Sequence, residues 1–285
     1  MQIVATYPPE FIIFTGFIVG LLIGSFLNVV IYRLPLQLKD TWQRDALEFL
    51  EQEAPDANKK FSVISPPSRC TNCEVLIKPW HNIPVISYLL LKGRCKNCRQ
   101  KISLQYPTVE ILCGLLSAIV VWHFGLTPQT CWALLFTWTL IALTGIDFNH
   151  QLLPDNLTLP LLWLGLFINI NGTFTTLHDA VIGAMAGYLS LWSVYWAFKL
   201  IRGKEGMGYG DFKLLAAIGA WLGWQQLPLI ILMSSALGAI VGTAGVLLQG
   251  KGKQVPIAFG PYLAIAGWII LIAGQDITAH YFSLF

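Results

Sequence analysis

Charged residues are scarce in this chain of 285 residues: they make up 12% of it, whereas 55% of its residues are hydrophobic. A soluble protein of this length needs far more polar surface, so a soluble globular fold is excluded. The first 32 and the last 32 residues contain no Lys or Arg at all. A cleavable signal peptide needs a basic start and a shorter apolar core, so we expect the first apolar segment to remain in the protein.

Long apolar runs make up much of the sequence. Several of them approach the roughly 20 residues that cross a bilayer, which predicts an all-α polytopic membrane protein with about eight transmembrane helices. The predicted spans are 11–31, 107–124, 129–146, 157–172, 179–200, 212–225, 227–249 and 257–274. The segments 157–172 and 212–225 are the least regular, because the first is short and the second contains Gly219 and Gly223.

The basic residues are concentrated between the first two predicted spans, where twelve of the eighteen Lys and Arg residues lie. An excess of Lys and Arg marks cytoplasmic loops, so this loop is expected on the cytoplasmic side. Counting spans from there places 147–156, 201–211 and 250–256 on the same side, and both termini on the outer side.

The basic loop contains a repeated motif in which two cysteines are separated by two residues. Cys70 and Cys73 form the first pair and Cys95 and Cys98 the second, with 21 residues between the pairs. Paired C-x-x-C units can surround one tetrahedral Zn²⁺ with four thiolates, and such a site is structural because no position stays open for water. Two disulfides are the alternative, but they seldom persist in a reducing cytoplasm. The sequence therefore predicts a small cytoplasmic zinc-knuckle domain.

Two acids stand at the ends of apolar runs. Asp147 ends the third predicted span and Asp211 precedes the sixth, in the segment Gly206-Met207-Gly208-Tyr209-Gly210-Asp211-Phe212-Lys213. Ionisable residues at membrane depth are costly and usually mark function. The span count places both acids on the cytoplasmic side at one depth, and two close carboxylates in a dry site share one proton near neutral pH. This pattern predicts aspartic-protease chemistry, in which one acid activates water and the other polarises the scissile carbonyl.

Structural roles are the alternative for these acids. Asp147 would cap the turn that follows it, and Asp211 would be the N-cap of the next helix. Asp155 follows Pro154 before an apolar run and is interpreted as a helix cap first and as a supporting acid second. Glu110 lies just inside the second span, where it pairs with a basic residue of the loop or lies near a ligand.

Taken together, these segments resemble the type IV prepilin peptidases, bacterial leader peptidases that also act as N-methyltransferases. The resemblance covers most of the chain and rests on Gly24 to Pro35, the two cysteine pairs, Tyr106 to Glu110, Asp147 to Asp155 and Gly208 to Lys213. It assigns the catalytic pair to Asp147 and Asp211, in agreement with the choice made from the residues.

The resemblance also implies substrates and a cofactor. The substrates are prepilins or pseudopilins with a short basic leader, and S-adenosylmethionine is the methyl donor for the new N-terminus. No glycine motif for that cofactor is visible in the sequence, and Gly93 and Glu110 are the candidate binding residues. The expected location is the bacterial inner membrane with the active site toward the cytoplasm, and no nucleic-acid partner is expected.

The predicted domains are therefore an N-terminal transmembrane helix in 1–32, a cytoplasmic four-cysteine domain in 33–106 and a membrane domain with the aspartic peptidase site in 107–285. Two alternative functions stay open at this point. One is an intramembrane protease of the related G-x-G-D type with another substrate class, and the other is an acid-coupled transporter, in which the acids would lie at a midplane site.

Overall fold

The computed structural model describes residues 8–52, 62, 67–204, 206–249 and 258–282. The described residues form helices and turns, and the chain divides into two compact units, Met1–Thr130 and Cys131–Phe285. The helices are α1 (Pro9–Phe49), α2 (Ile86–Leu90), α3 (Gln105–Phe124), α4 (Pro128–His150), α5 (Asp155–Ile168), α6 (Leu177–Arg202), α7 (Tyr209–Leu222), α8 (Leu227–Gln249) and α9 (Gly260–Phe282).

Five helical segments among the described residues are long and apolar enough to cross a membrane: α1, α3, α4, α6 and Trp224–Gly245, which includes most of α8. A shorter apolar segment covers Gly260–Gly274. The prediction of an all-helical membrane protein is confirmed, whereas the number of eight spans stays a prediction. The two least regular predicted spans correspond to α5 and α7, which have 14 residues each and are shorter than a bilayer crossing requires.

The first unit is built on close packing of α1 against α3. A Cβ atom at Gly20 would lie 2.6 Å from the carbonyl oxygen of Cys113, and one at Gly24 would lie 2.8 Å from the Cα of Glu110. Glycines spaced by four residues let two helix backbones approach in this way, as is common in membrane helices. Asn28, one turn later in α1, extends the contact by donating to the backbone carbonyl of Tyr106 at 3.0 Å.

Helix α1 is longer than the predicted first span, because it continues without interruption from the apolar segment to Phe49. Residues 37–49 are rich in good helix formers, and the ion pair between Arg44 and Asp40 at 3.0 Å supports this last part. The polar residues that follow the apolar segment therefore belong to α1 as far as Phe49, and residues 53–60 lie outside the described part of the chain.

In the second unit α7 is the central helix. Ten of its fourteen residues are buried, and it packs against α5, α6 and α9. At the C-terminal end, the buried amide of Asn169 donates to the carbonyls of Ala220 and Trp221, at 2.9 and 3.0 Å. Backbone carbonyls at a helix end need such partners where water is excluded, so Asn169 satisfies the end of α7.

Candidate active site

Asp147 and Asp211 are both buried in the second unit, with 5% and 7% of their surfaces exposed. Asp147 lies in the last turn of α4 and Asp211 in the first turn of α7. The two carboxylates are near enough for their charges to interact. The structure thus brings together the two acids that the sequence singled out, in the dry setting that acid–base chemistry between carboxylates requires.

The carboxylate of Asp147 is held by the start of α9. Its Oδ2 atom accepts a hydrogen bond from the backbone N–H of Gly260 at 3.1 Å, in a buried position. The first amides of a helix have no partner within the helix and carry partial positive charge, so they stabilise a carboxylate. A Cβ atom at position 260 would lie 2.6 Å from this same oxygen, which requires glycine there.

Asp211 is the third residue of α7, and the N-cap of that helix is Gly208. The N-cap interpretation of Asp211 is therefore wrong, because the helix begins two residues before the acid. The backbone N–H of Asp211 donates to the carbonyl of Gly208 at 3.2 Å. A Cβ atom at Gly208 would have the Oδ2 atom of Asp211 as its neighbour at 3.8 Å, so space is left beside the carboxylate.

Leu153 is the packing residue between the two acidic segments. A Cβ atom at Gly210 would lie 2.7 Å from the Cβ of Leu153, and one at Gly260 would lie 3.1 Å from its methyl groups. Leu153 is 8% exposed and occupies the space that both glycines leave free. The glycine at position 210 is thus explained by close packing, and Leu153 fixes the starts of α7 and α9 beside the two acids.

Asp155 makes an ion pair with Lys213 instead of capping a helix. The Nζ atom of Lys213 lies 2.7 and 2.8 Å from the two carboxylate oxygens of Asp155. The N-cap of α5 is Pro154, and Asp155 is the first residue of that helix. Both side chains are partly exposed, at 29% for Lys213 and 51% for Asp155, so the pair is a surface link between the starts of α5 and α7.

The four cysteines of the repeated motif form one cluster in the first unit. The sulfur atoms of Cys70, Cys73, Cys95 and Cys98 all lie within 4.8 Å of one another, and those of Cys70 and Cys98 are 3.8 Å apart. Four sulfurs about 2.3 Å from one central zinc ion would be about 3.8 Å apart. The cluster therefore fits a tetrahedral metal ion, and its four thiols are not joined in disulfides.

The two knuckles support each other's sulfur atoms in a reciprocal way. The amide of Asn72 in the first knuckle lies 3.7 Å from the sulfur of Cys98, and the amide of Asn97 in the second lies 3.6 Å from that of Cys73. Each knuckle is closed by one antiparallel bridge, Arg69 with Leu76 and Arg94 with Lys101. The repeat seen in the sequence is thus a repeat in structure.

Hydrogen bonds favour the thiolate form at three of the four cysteines. Backbone N–H groups of Val75, Cys98 and Gln100 lower the pKa of Cys73, Cys95 and Cys98, respectively. At Cys70 the backbone N–H of Cys73 also acts to lower the pKa, but burial and the neighbouring thiols outweigh it and raise the pKa to about 11. Thiolates are the form that binds metal, so the donors around the cluster suit a metal site.

Glu110 is buried in α3 and joins three segments of the first unit. It accepts a hydrogen bond from the backbone N–H of Val85 at 2.7 Å and another from the hydroxyl of Ser25 in α1. Val85 has φ of 59°, a strained conformation for a β-branched residue. These contacts give Glu110 a partner in the loop that is a backbone amide and not a basic side chain, whereas the alternative of a nearby ligand stays a prediction.

Gly93 occupies a turn that leads into the second knuckle. It has φ of 64°, and a Cβ atom there would lie 2.8 Å from the hydroxyl oxygen of Tyr88. Its N–H donates to the carbonyl of Tyr88 and its carbonyl accepts from the N–H of Ile102, at 2.9 and 2.8 Å. Glycine is required here by the backbone and by packing, whether or not a cofactor binds nearby.

Sequence reasoning missed Gly260 and Leu153. Gly260 is followed by Pro261 at the start of an apolar helix, and proline is favoured in the first turn of a helix. That signal predicts a helix start, but it does not indicate which side chain the first amide meets. Leu153 is one apolar residue among many in the sequence, and only its position between Gly210 and Gly260 distinguishes it.

Comparison with known proteins gives consistent matches over most of the chain. Residues 18–124 match the family model of the bacterial peptidase A24 N-terminal domain, and residues 134–243 match that of the type IV leader peptidase family. A prepilin leader peptidase/N-methyltransferase of Stutzerimonas stutzeri is 55% identical over 99% of this chain and 97% of its own length. A protein of the same name from Pseudomonas aeruginosa is 52% identical over 99% of this chain and 97% of its own length. Another, from Neisseria gonorrhoeae, is 48% identical over 91% of this chain and 90% of its own length. No solved structure matches the chain significantly.

Proposed function

The chain belongs to the type IV leader peptidase family, and we propose that it removes the leader from prepilins or pseudopilins with Asp147 and Asp211 as the catalytic pair. The observation that carries the assignment is the burial of both carboxylates in one compact unit, where their charges interact. The names of the relatives support prepilin cleavage and N-methylation over the transporter and over a G-x-G-D protease of another substrate class.

We infer that Asp147 is the charged member of the pair and acts as the general base. Its Oδ2 accepts the first amide of α9, which stabilises a carboxylate, and we assign the shared proton of the pair to Asp211. Asp147 takes a proton from a water molecule as the water oxygen attacks the scissile carbonyl carbon. Asp211 donates a hydrogen bond to the carbonyl oxygen, and the proton on Asp147 then passes to the leaving amine nitrogen as the C–N bond breaks.

The membrane setting is that of a multi-pass inner-membrane protein, and we propose that the catalytic pair faces the cytoplasm. Asp147 lies in the last turn of α4 and Asp211 in the first turn of α7, and both carboxylates are buried in one compact unit, which supports one depth for the pair. The last turn of α6, just before Asp211, contains Lys199 and Arg202. Basic residues favour the cytoplasmic side, so the charge distribution supports this orientation.

We propose that the predicted domains 1–32 and 107–285 lie in the membrane and that 33–106 form the cytoplasmic four-cysteine domain. In that domain Cys70, Cys73, Cys95 and Cys98 would hold Zn²⁺, which stabilises the two knuckles because metal binding in such units supplies folding energy. S-adenosylmethionine is the proposed methyl donor, with Gly93 and Glu110 as the candidate residues taken from the sequence.

The experiment that tests the function is incubation of the purified full-length protein with a model prepilin, in detergent, with and without S-adenosylmethionine. Product masses report both reactions at once. Leader removal in both samples, with one added methyl group on the mature N-terminus only when the donor is present, is the expected result. An uncleaved prepilin under conditions in which the protein is folded would overturn the proposal.

A further inference from the structure

A cavity of about 820 Å³ lies beside the second cysteine knuckle and is not part of the acid site. Its basic lining residues are Lys92, Arg94, Lys96 and Arg99, its apolar lining includes Trp80 and Leu90, and Cys95 of the cysteine cluster also lines it. Within the described part of the chain, no Asp or Glu lines this cavity. All of these residues belong to the first compact unit.

The positive charge of this cavity indicates the chemical class of its ligand. Four cationic side chains outnumber the one thiolate of Cys95, and no carboxylate among the described lining residues balances them, so the cavity attracts an anion. Phosphate oxygens are good acceptors for Arg and Lys donors. A ligand with a positive centre is disfavoured by the same charges. The sulfonium group of S-adenosylmethionine is such a centre, so the charges of this cavity favour a phosphate over the methyl donor.

The apolar residues of the cavity are unusually exposed. Trp80 is 60% exposed and Leu90 is 78% exposed, and the Nζ atom of Lys78 lies 5.4 Å from the ring centre of Trp80. A Trp accompanied by basic residues and exposed aliphatic side chains is typical of segments that lie in the interface of a membrane. In water, this exposure of apolar surface would be unfavourable.

The covalent chain keeps the cavity close to a bilayer. The N–H of Ile102 donates to the carbonyl of Gly93, and α3 begins at Gln105, three residues after Ile102. Three residues of extended chain span at most about 11 Å. Glu110 in α3 also accepts a hydrogen bond at 2.7 Å from the backbone N–H of Val85, which lies in the chain between the lining residues Ile83 and Ser87. The cavity is therefore attached to the start of a membrane helix by two separate contacts.

We propose that this cavity binds the phosphate headgroup of an anionic phospholipid from the adjoining leaflet, with the basic side chains on the phosphate and Trp80 and Leu90 among the upper acyl chains. The occupant is a lipid and not a free anion, because only a lipid also covers the exposed apolar residues. The knuckle module is thereby held on the membrane surface by a specific lipid contact.

The test uses the purified full-length protein in a neutral detergent, titrated with short-chain phosphatidylglycerol, with phosphatidylcholine of the same chain length, or with inorganic phosphate. Hydrogen–deuterium exchange of peptides covering residues 78–102 reports binding. Phosphatidylglycerol is expected to protect these amides in a saturable way, and phosphatidylcholine is expected to leave them unchanged. Equal protection by the two lipids, or equal protection by inorganic phosphate at the same concentration, would overturn the proposal.

Matched charge variants locate the site. Lys92→Gln with Arg94→Gln removes two charges from the cavity, and Arg69→Gln with Lys101→Gln removes two charges of the same knuckles from outside it. The first pair is expected to raise the half-saturating phosphatidylglycerol concentration about thirty-fold, at about 1 kcal/mol for each basic side chain. For the second pair, the half-saturating phosphatidylglycerol concentration is expected to stay within about threefold of that of the unaltered protein, since the charges it removes lie outside the cavity.

The metal content of each variant shows whether the knuckles are folded. If both pairs weaken binding equally while zinc is retained, the attraction is a general charge effect and the proposed site is wrong. If S-adenosylmethionine protects the same amides and phosphatidylglycerol does not, the cavity is a cofactor site and the lipid assignment is wrong.

Discussion

The backbone N–H of Gly260 donates to the Oδ2 atom of Asp147 at 3.1 Å, across 113 residues of sequence. This contact makes the start of α9 part of the acid site. It also explains why the position tolerates no side chain, since a Cβ atom would lie 2.6 Å from the same oxygen. In the proposed mechanism, the carboxylate of Asp147 is thus held by a backbone amide and needs no other ionisable group to keep its geometry.

Replacement of Gly260 by alanine is expected to slow prepilin cleavage about a hundredfold. The added Cβ must displace either the Asp147 carboxylate or Leu153, and a shift of about 1 Å in a catalytic group has this effect on a rate. The loss should be in kcat more than in KM, because the substrate is not contacted by the new methyl group. Single-turnover cleavage assays by mass measure this directly.

Gly245→Ala is the control for that variant, because a Cβ atom at Gly245 in α8 would meet nothing within 4 Å. It should cleave at the rate of the unaltered protein. Full activity of Gly260→Ala would show that the Asp147 contact with α9 does not position the acid.

Asp155→Asn and Lys213→Gln are expected to change cleavage by less than about fivefold each. The ion pair between them is partly exposed, and exposed pairs contribute about 0 to 1 kcal/mol. The double variant should cleave no more slowly than the slower of the two single variants, because both changes remove the same ion pair. If Asp155→Asn were as inactive as a variant of Asp147, Asp155 would belong to the catalytic group.

Purified protein is expected to contain one Zn²⁺ for each chain, and Cys70→Ser or Cys98→Ser should lose it. Removal of one thiolate leaves the tetrahedral site incomplete, and the knuckles lose the folding energy that the metal supplies. Metal analysis and exchange of the amides in 67–102 measure the two effects. Cys131→Ser, which changes an exposed cysteine outside the cluster, should keep the metal. Zinc retained by Cys98→Ser would contradict the four-thiolate site.

Asn72→Ala and Asn97→Ala are each expected to weaken zinc binding about 10- to 100-fold, the usual effect of removing a hydrogen bond to a metal ligand. Each amide supports a sulfur of the opposite knuckle, so the two variants should behave alike. Competition with a chelator measures the affinity. Asn82→Ala in the same loop is the control. An equal loss of zinc affinity in that variant would show that the side-chain amides of Asn72 and Asn97 do not support the sulfur atoms specifically.

The parts of the site that depend on local sequence were predictable. The four cysteines lie in a repeated motif, and that motif predicted one cluster, which the structure contains. Asp147 and Asp211 were recognisable because carboxylates are rare beside apolar runs. The contact of Asp147 with Gly260 and that of Asp155 with Lys213 join residues far apart in the chain, and such pairs depend on helix packing that hydrophobic periodicity does not specify.

Helix limits were less predictable than helix existence, for a physical reason. A hydropathy pattern indicates where a helix leaves the apolar region, but α1 continues to Phe49 because the polar residues that follow are themselves good helix formers. In α7 the reverse holds: Gly223, with φ of 85°, ends the helix after 14 residues, before the end of the predicted span at residue 225.

The most direct test of the account is the cleavage of a model prepilin by Asp147→Asn and Asp211→Asn, measured as product mass over time beside Asp155→Asn. An amide neither takes nor shares the required proton, and loss of acid–base catalysis lowers a rate about 100- to 10,000-fold. Both variants should therefore leave the prepilin uncut while they retain zinc, and Asp155→Asn should cut it. Cleavage at an undiminished rate by either Asp147→Asn or Asp211→Asn would contradict the assignment of the catalytic pair.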